Sequence, residues 1–414
     1  KLGCRHESAR ENGLSHLLEH MLFRGSTHYP SAYVLNRAIE ELGGTLHGAT
    51  HADSTLFEVT LPPDNALRGL VILGDILTGP TFAELAVEKR IVREEILEYL
   101  DEEGHEVDPE NLTRQLIFGA HPLGLTITGS LHNLQRFGAS DLKSHMQKHY
   151  VASNMVLCVT GAVEPRAVLR AAHAALGALP AGVAPALNHF RGVVSKAKRS
   201  RAGTRKARTP AWPRVRHVES LGSQTDVRLC FSTFGATDPR YLALELLVRV
   251  IDDGMSTRLH RRICEELGLA YEVFATLEPF EECGVLDVGG AVEHDKVASF
   301  MRSVLSLLSE ARDKPVTRAE LDKAKRRYAW QLEAILDDPQ SMSTHYGLRA
   351  LVGQDGHLRL LRQQVERITT ADLRNVACEL FRRDHLHVVT VGMQNAKQQR
   401  AARDACDILP SERC

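Results

Sequence analysis

The sequence predicts an α+β fold built as two homologous α+β domains. Each is a mixed, largely antiparallel sheet with helices packed on it, and a basic linker joins them. Three observations carry this expectation. A chain of 414 residues can bury two substantial cores. An internal repeat is present: Asp141-Leu142, Tyr150 and Gly161 return 231 positions later as Asp372-Leu373, Phe381 and Gly392. Residues 191–216 carry ten Lys or Arg and no Asp or Glu, with Gly203, Pro210 and Pro213 among them, the composition of a tether. The predicted boundaries are 1–186 for the first domain, 187–217 for the linker and 218–414 for the second domain.

The first element is a helix over His16-Leu17-Leu18-Glu19-His20, with Leu14, Leu17, Leu18, Met21 and Leu22 as its inward stripe and Gly25 as its stop. Residues 16 and 20 are one turn apart, so two imidazoles converge on one face. Glu19 falls on the same side. Zinc accepts imidazole nitrogen and carboxylate oxygen, and a catalytic site keeps one position for water. Bound metal lowers that water's pKa from about 16 to about 7, so a neighbouring carboxylate can take its proton. The order H-x-x-E-H inverts the H-E-x-x-H zinc motif.

A third ligand should be a carboxylate from elsewhere. Glu84 to Glu103 reads as one long acidic helix with Leu85, Ile91, Val92, Ile96 and Leu100 as its apolar positions. Glu88 and Glu95 are seven residues apart and share a face with Ile91 and Val92 between them. A carboxylate in an apolar stripe is costly unless paired or metal-bound. Glu95 is the candidate ligand, with Glu94 and Glu98 as alternatives, and Glu88 is read as a group that orients a ligand or water.

Strand runs follow at Leu56 to Leu61, Met155 to Thr160, Val227 to Ser232 and Leu386 to Val391, and a weaker echo links Glu40-Glu41-Leu42-Gly43 with Glu265-Glu266-Leu267-Gly268. The second half has no counterpart of the zinc residues: Leu244 and Val248, in an apolar helix, fall near where its histidines would be. Residues 318–334 form a long basic helix. No run of 18 apolar residues predicts a membrane span. Removing the ten basic linker residues leaves 41 basic against 52 acidic residues, near -11 for the remainder, and the basic run has little aromatic interleaving, so specific nucleic-acid binding is not expected. None of the eight Cys forms a C-x-x-C pair. They read as reduced, mostly buried thiols, which favours the cytoplasm or another reducing compartment.

Gly13-Leu14-Ser15-His16-Leu17-Leu18-Glu19-His20-Met21-Leu22-Phe23-Arg24-Gly25 and the Glu88 to Glu95 stretch resemble the M16 metallopeptidases, the group of pitrilysin, insulin-degrading enzyme and the mitochondrial processing peptidases. Gly43-Gly44, Asp53-Ser54-Thr55, His121-Pro122-Leu123-Gly124 and the V-T-G ending at Gly161 extend the resemblance over nearly the whole chain. It implies Zn2+ held by His16, His20 and Glu95, Glu19 as general base, and cleavage of extended or unfolded peptides by two domains enclosing a chamber. It also implies a first strand, and any targeting segment, upstream of Lys1. The family form I-R-E-E-x-G-L-A-Y becomes Ile263-Cys264-Glu265-Glu266-Leu267-Gly268-Leu269-Ala270-Tyr271. Tyr271 keeps its expected role toward the scissile carbonyl or its oxyanion, while Cys264 stands where Arg is expected; a nucleophilic role for that Cys is a remote alternative. The strand motif G-G-x-x-N-A-x-T becomes Gly43-Gly44-Thr45-Leu46-His47-Gly48-Ala49-Thr50, making His47 a candidate substrate contact and Gly48 a loosened edge. Three functions are expected from this set: a self-sufficient endopeptidase, alone or as a homodimer; the zinc-bearing half of a heterodimer with a related subunit that supplies the Arg; or an interaction subunit that lost its chemistry.

Overall fold

The structure is a computed structural model that describes residues 1–190 and 213–412. The chain divides into two compact units, neither of which is one continuous stretch. The first holds Lys1–Leu100, Ala120–Asn188 and Ala334–Gly356; the second holds Asp101–Gly119, His189–Glu333 and His357–Cys414. Most of the expected 187–217 linker lies outside the described residues, and its last residues are a strand, β3 in the numbering below.

In the first unit the helix Leu14–Leu22 follows its predicted pattern and goes further. Leu17, Leu18, Met21 and Leu22 have no exposed surface, and only His20 of the whole helix is not classed as buried. It packs on strand β1 (Thr45–Thr50), on the helix Leu85–Leu97 and on the helix Ala139–His149. β1 pairs antiparallel with β2 (Thr55–Thr60), with Gly48 opposite Phe57. Leu35, Ile39, Ile76, Val92 and Leu142 complete this core. The acidic helix ends at Leu97, short of the expected Glu103. The reason lies just beyond it: the Asp101 carboxylate accepts from the backbone N–H groups of Glu103 and His105 at 3.0 and 2.7 Å, which closes a turn in place of another helical one.

The second unit is a five-stranded sheet in the order β3 (Arg214–Val218), β7 (Leu386–Val391), β4 (Thr225–Phe234), β6 (Cys283–Val292), β5 (Val273–Pro279). The β3–β7 pair is parallel and the other three are antiparallel, the mixed sheet expected. β4 buries Val227, Leu229 and Phe231, with the half-buried Arg228 between the first two, the period of a pleated strand. Helices Tyr241–Ile251 and Arg318–Asp337 follow the apolar and basic patterns read from the sequence, and Val297–Asp313 is a further helix. Leu244 and Val248 are buried.

The repeat extends to the way the two helices start. Ala139–His149 and Thr370–Leu380 are helices at the same offset, and each begins with a backbone N–H donated 2.8 Å to an aspartate three residues on, Gly138 to Asp141 and Thr369 to Asp372. Both end on buried aromatics, Tyr150 and Phe381, with ψ of 68°. The copies then diverge. Leu386–Val391 is the fully buried β7, whereas Met155 to Thr160 is not a strand: it pairs with no neighbour among the described residues, and Val156 and Leu157 are 44% and 41% exposed. An extended run becomes a strand only when a neighbour takes its hydrogen bonds. The expectation of uniformly reduced cysteines also needs correction. Cys4, Cys158, Cys230, Cys264, Cys283 and Cys406 are free, but Cys378 is disulfide-bonded.

Candidate metal centre

The helix Leu14–Leu22 carries both motif histidines, His16 in its first turn and His20 in its last. One helical turn places the Nε2 atoms of His16 and His20 3.2 Å apart, with ring centroids 4.5 Å apart. The helix Leu85–Leu97 brings Glu95 against the pair: Oε1 lies 3.3 Å from His16 Nε2 and Oε2 3.7 Å from His20 Nε2. Glu94 and Glu98 are exposed, and Glu94 pairs with Arg93 at 2.6 Å, so the choice among the three carboxylates falls on Glu95 by geometry.

Glu88, 4% exposed, lies two turns earlier on the same helix face as Glu95. Its Oε1 is 2.8 Å from His20 Nδ1, and its Oε2 accepts from Arg24 Nε. Burial would raise the Glu88 carboxyl, but the bonds from His20 and Arg24 outweigh it and hold its pKa below the usual range. In the tautomer that donates from Nδ1 to Glu88, His20 keeps its Nε2 lone pair for a ligand role. Burial pushes the His20 imidazole down, and the Glu88 bond with the charges of Glu19, Glu88 and Glu95 turns the net shift upward. Glu95 is held low despite its burial by the His16 bond and by the charges of both imidazoles.

Glu19 is buried beside these groups; His16, Glu19 and His20 offer ligand-capable atoms within 4.8 Å of one another. Thr50 Oγ1 donates to Glu19 Oε2 at 3.4 Å. Burial raises the Glu19 pKa, opposed by His20 and His16. Gly48 is a notch for this carboxylate and not merely a loose edge. A Cβ there would stand 2.3 Å from Glu19 Oε1 and 2.5 Å from Phe23 Cε2.

The donor set fits zinc. Two ligands about 2.0–2.1 Å from a tetrahedral zinc stand roughly 3.3 Å apart. The His16–His20 separation of 3.2 Å and the His16–Glu95 separation of 3.3 Å match this. Two imidazoles and one carboxylate are also the ligand types of a hydrolytic site that leaves a position open.

Not every sequence candidate joins the cluster. His47 is exposed and alternates along β1 with Gly48 and Thr50, so it stands on the face away from Glu19. Tyr271 belongs to the second unit and is 95% exposed. Cys264 sits in the π-helical stretch Arg261–Glu266; burial, then Asp252, Glu265 and Glu272, push its thiol up, the wrong direction for a nucleophile. Three participants escaped the sequence reading. Arg24 sits one turn beyond His20, a spacing that pointed to it. Thr50 lies within the quoted strand motif. Glu7, whose buried carboxylate accepts from Ser15 and Gly13 at the start of the histidine helix, has no local signature.

Comparison with known proteins gives the family. The family model described as Insulinase (Peptidase family M16) matches residues 1–130, and the one described as Peptidase M16 inactive domain matches residues 136–328. The chain belongs to the M16 peptidase family. This M16 chain is 29% identical over 392 residues to a Mycobacterium tuberculosis protein named an uncharacterized zinc protease, covering 92% of this chain and 84% of that protein. It is 25% identical over 390 residues to a Bacillus subtilis protein of the same description, covering 92% and 89%. Among solved structures, a protease from Helicobacter pylori superposes with a TM-score of 0.80 at 18% identity, covering 95% of this chain and 92% of that one. A peptidase M16 inactive domain from Pseudomonas fluorescens gives 0.79 at 20% identity, covering 94% and 91%; at these identities both show the fold. Among the described residues no helix is long and apolar enough to cross a membrane.

Proposed function

We propose that this M16 chain is a zinc-dependent endopeptidase for extended or unfolded peptides. The observation that carries the reading is the meeting of His16, His20 and Glu95 at ligand spacing with Glu19 buried alongside. His16, His20 and Glu95 would hold Zn2+, which when bound polarises the scissile carbonyl and acidifies the attacking water. Glu19 takes the proton of that water and delivers it to the leaving amine. Its notch at Gly48 and the Thr50 hydroxyl hold the carboxylate in place, and Glu88 fixes the tautomer of His20. Tyr271, being exposed, is free to bind substrate carbonyl oxygen.

A second reading is favoured by one residue. Cys264 stands where the family resemblance expects Arg, so a related subunit supplying that cation would make this chain the zinc-bearing half of a heterodimer. The test is hydrolysis of a mixed pool of unstructured peptides by the zinc-loaded chain, with Glu19→Gln as control. Removing a general base typically costs about 10²–10⁴-fold. Turnover that falls by this much in the control supports a self-sufficient peptidase. Equal turnover in both chains would sink the mechanism, and none in either, with zinc bound, would favour the heterodimer.

A further inference from the structure

We propose that Glu7 is a positioning residue for the metal site, a remote cap that sets the start of the helix bearing His16 and His20. The inference rests on the reading that these histidines bind metal.

The histidine helix has a weak beginning of its own. Its N-cap is Gly13 at φ +99°, which has no side chain with which to satisfy the first-turn N–H groups. Glu7, 3% exposed, does so from outside the helix. Its Oε1 accepts from Ser15 N at 2.7 Å; its Oε2 accepts from Gly13 N at 2.9 Å and from Asn12 Nδ2 at 3.0 Å. Those donors flank the helix start, and Ser15 is the residue immediately before His16.

The same carboxylate locks the helix to its surroundings. Asn12 Nδ2 also donates to Thr126 O at 2.8 Å, and Asn133 Nδ2 donates to the carbonyls of Asn12 and Ala9 at 3.0 Å. A Cβ on Gly13 would stand 2.8 Å from Thr128 O, so the helix start is wedged against that turn with no room to slide. A shift of the first turn would move His16 relative to Glu95, which rides on a different helix.

Charge is needed as well as shape. Three N–H donors converge on two oxygens, so a carboxyl proton would be set among donors. Burial raises the Glu7 pKa on balance, against the bonds from Ser15, Asn12 and Gly13; the three converging N–H donors suit a carboxylate that accepts at both oxygens. The positive end of the helix dipole lies close to His16, the third residue of the helix, where it disfavours a cation. A buried anion at that end offsets it.

The test is competitive titration of Co2+ and Zn2+ into the whole chain, with the Co2+ d–d absorption recorded. Wild type, Glu7→Gln, Glu7→Asp and His16→Asn are compared, with Leu70→Ala on the helix Ala66–Thr78 as a control for general loss of stability. Glu7→Gln keeps the shape but puts an amide NH2 against N–H donors. It is expected to weaken metal binding by about tenfold, the lower end for a group that orients ligands, and to change the Co2+ spectrum. Leu70→Ala should lower the melting temperature and leave both unchanged. If Glu7→Gln does not fold, Glu7→Asp, which keeps the charge but loses reach, is expected to bind at least about threefold more weakly. Wild-type affinity and an unaltered spectrum in the folded Glu7 variants, with binding abolished in His16→Asn, would overturn the role of Glu7 alone. Metal binding that survives in His16→Asn at full strength would overturn the site and this inference together.

Discussion

The carboxylates around the histidines show how one residue type takes different roles by placement. Glu95 touches both imidazoles, Glu19 lies beside them against β1, and Glu88 reaches only the far nitrogen of His20. In the proposed site Glu88 would therefore act on the metal through His20, by holding Nδ1–H and leaving Nε2 to the ion. Its low pKa keeps it ionised at neutral pH. Glu88→Gln is expected to weaken zinc affinity by about 10–100-fold, measured by competition with a chromophoric chelator. Affinity equal to wild type would show that His20 is oriented without it. Much of this site was legible from spacing alone: a one-turn separation selects the histidines, and an apolar stripe containing two carboxylates selects the helix that supplies the third ligand. The final choice among Glu94, Glu95 and Glu98 needed the helix to be placed, since the direction of a side chain on a solvated helix depends on what that helix packs against.

At the scale of elements, β1 does more than the sequence motif suggested. Its Gly48–Thr50 face receives the histidine helix, and the missing Cβ at Gly48 admits both the Glu19 carboxylate and the Phe23 ring. Phe23 in turn packs on Phe57, the cross-strand partner of Gly48, at 5.9 Å between centroids. A branched side chain there must displace the base. Gly48→Val is expected to lower kcat by about tenfold or more, a loss of general-base placement, while zinc affinity stays within error because neither imidazole is touched. A kinetic assay beside a metal titration separates the two, and an unchanged kcat would show that Glu19 works from another position. His47 stands apart from the Glu19 cluster because a motif names positions without assigning faces. The period of two along a strand puts it opposite the residues it was grouped with.

For the whole molecule, the repeat accounts for the matching helix starts and turn geometry of the two units, while His16, Glu19, His20 and Glu95 all lie in the first. Buried imidazoles also make stability depend on pH. His145 and His149 are buried in the first unit with the half-buried His6 beside them, with ring centroids of His145 and His149 4.5 Å apart and of His6 and His149 6.3 Å apart. Burial holds the pKa of His6 and His145 down to about 3 and that of His149 to about 4; in the second unit it holds His387 at about 4. In the unfolded chain these groups titrate near 6.5. As pH falls through that value the unfolded state binds protons that the folded state refuses, so stability is full above about 6.5 and is lost progressively toward about 3 to 4. Urea unfolding midpoints at pH 7 and pH 5 should therefore differ, and His149→Phe should reduce the difference. An identical pH slope in the variant would show that His149 is not buried neutral.

The sequence by itself determined the α+β class, the repeat, the histidine helix and which residues are candidates for zinc. Each of these follows from short-range periodicity, composition or spacing along the chain. Tertiary structure decided the rest. It ended the acidic helix at Leu97 through the Asp101 turn and left Met155 to Thr160 without strand pairing among the described residues. It assigned Ala334–Gly356 to the first unit and Asp101–Gly119 to the second. It also brought Glu7 to the start of the histidine helix. Strand pairing, remote capping and ligand convergence are contacts between segments distant in sequence, and their energies exist only once the segments meet.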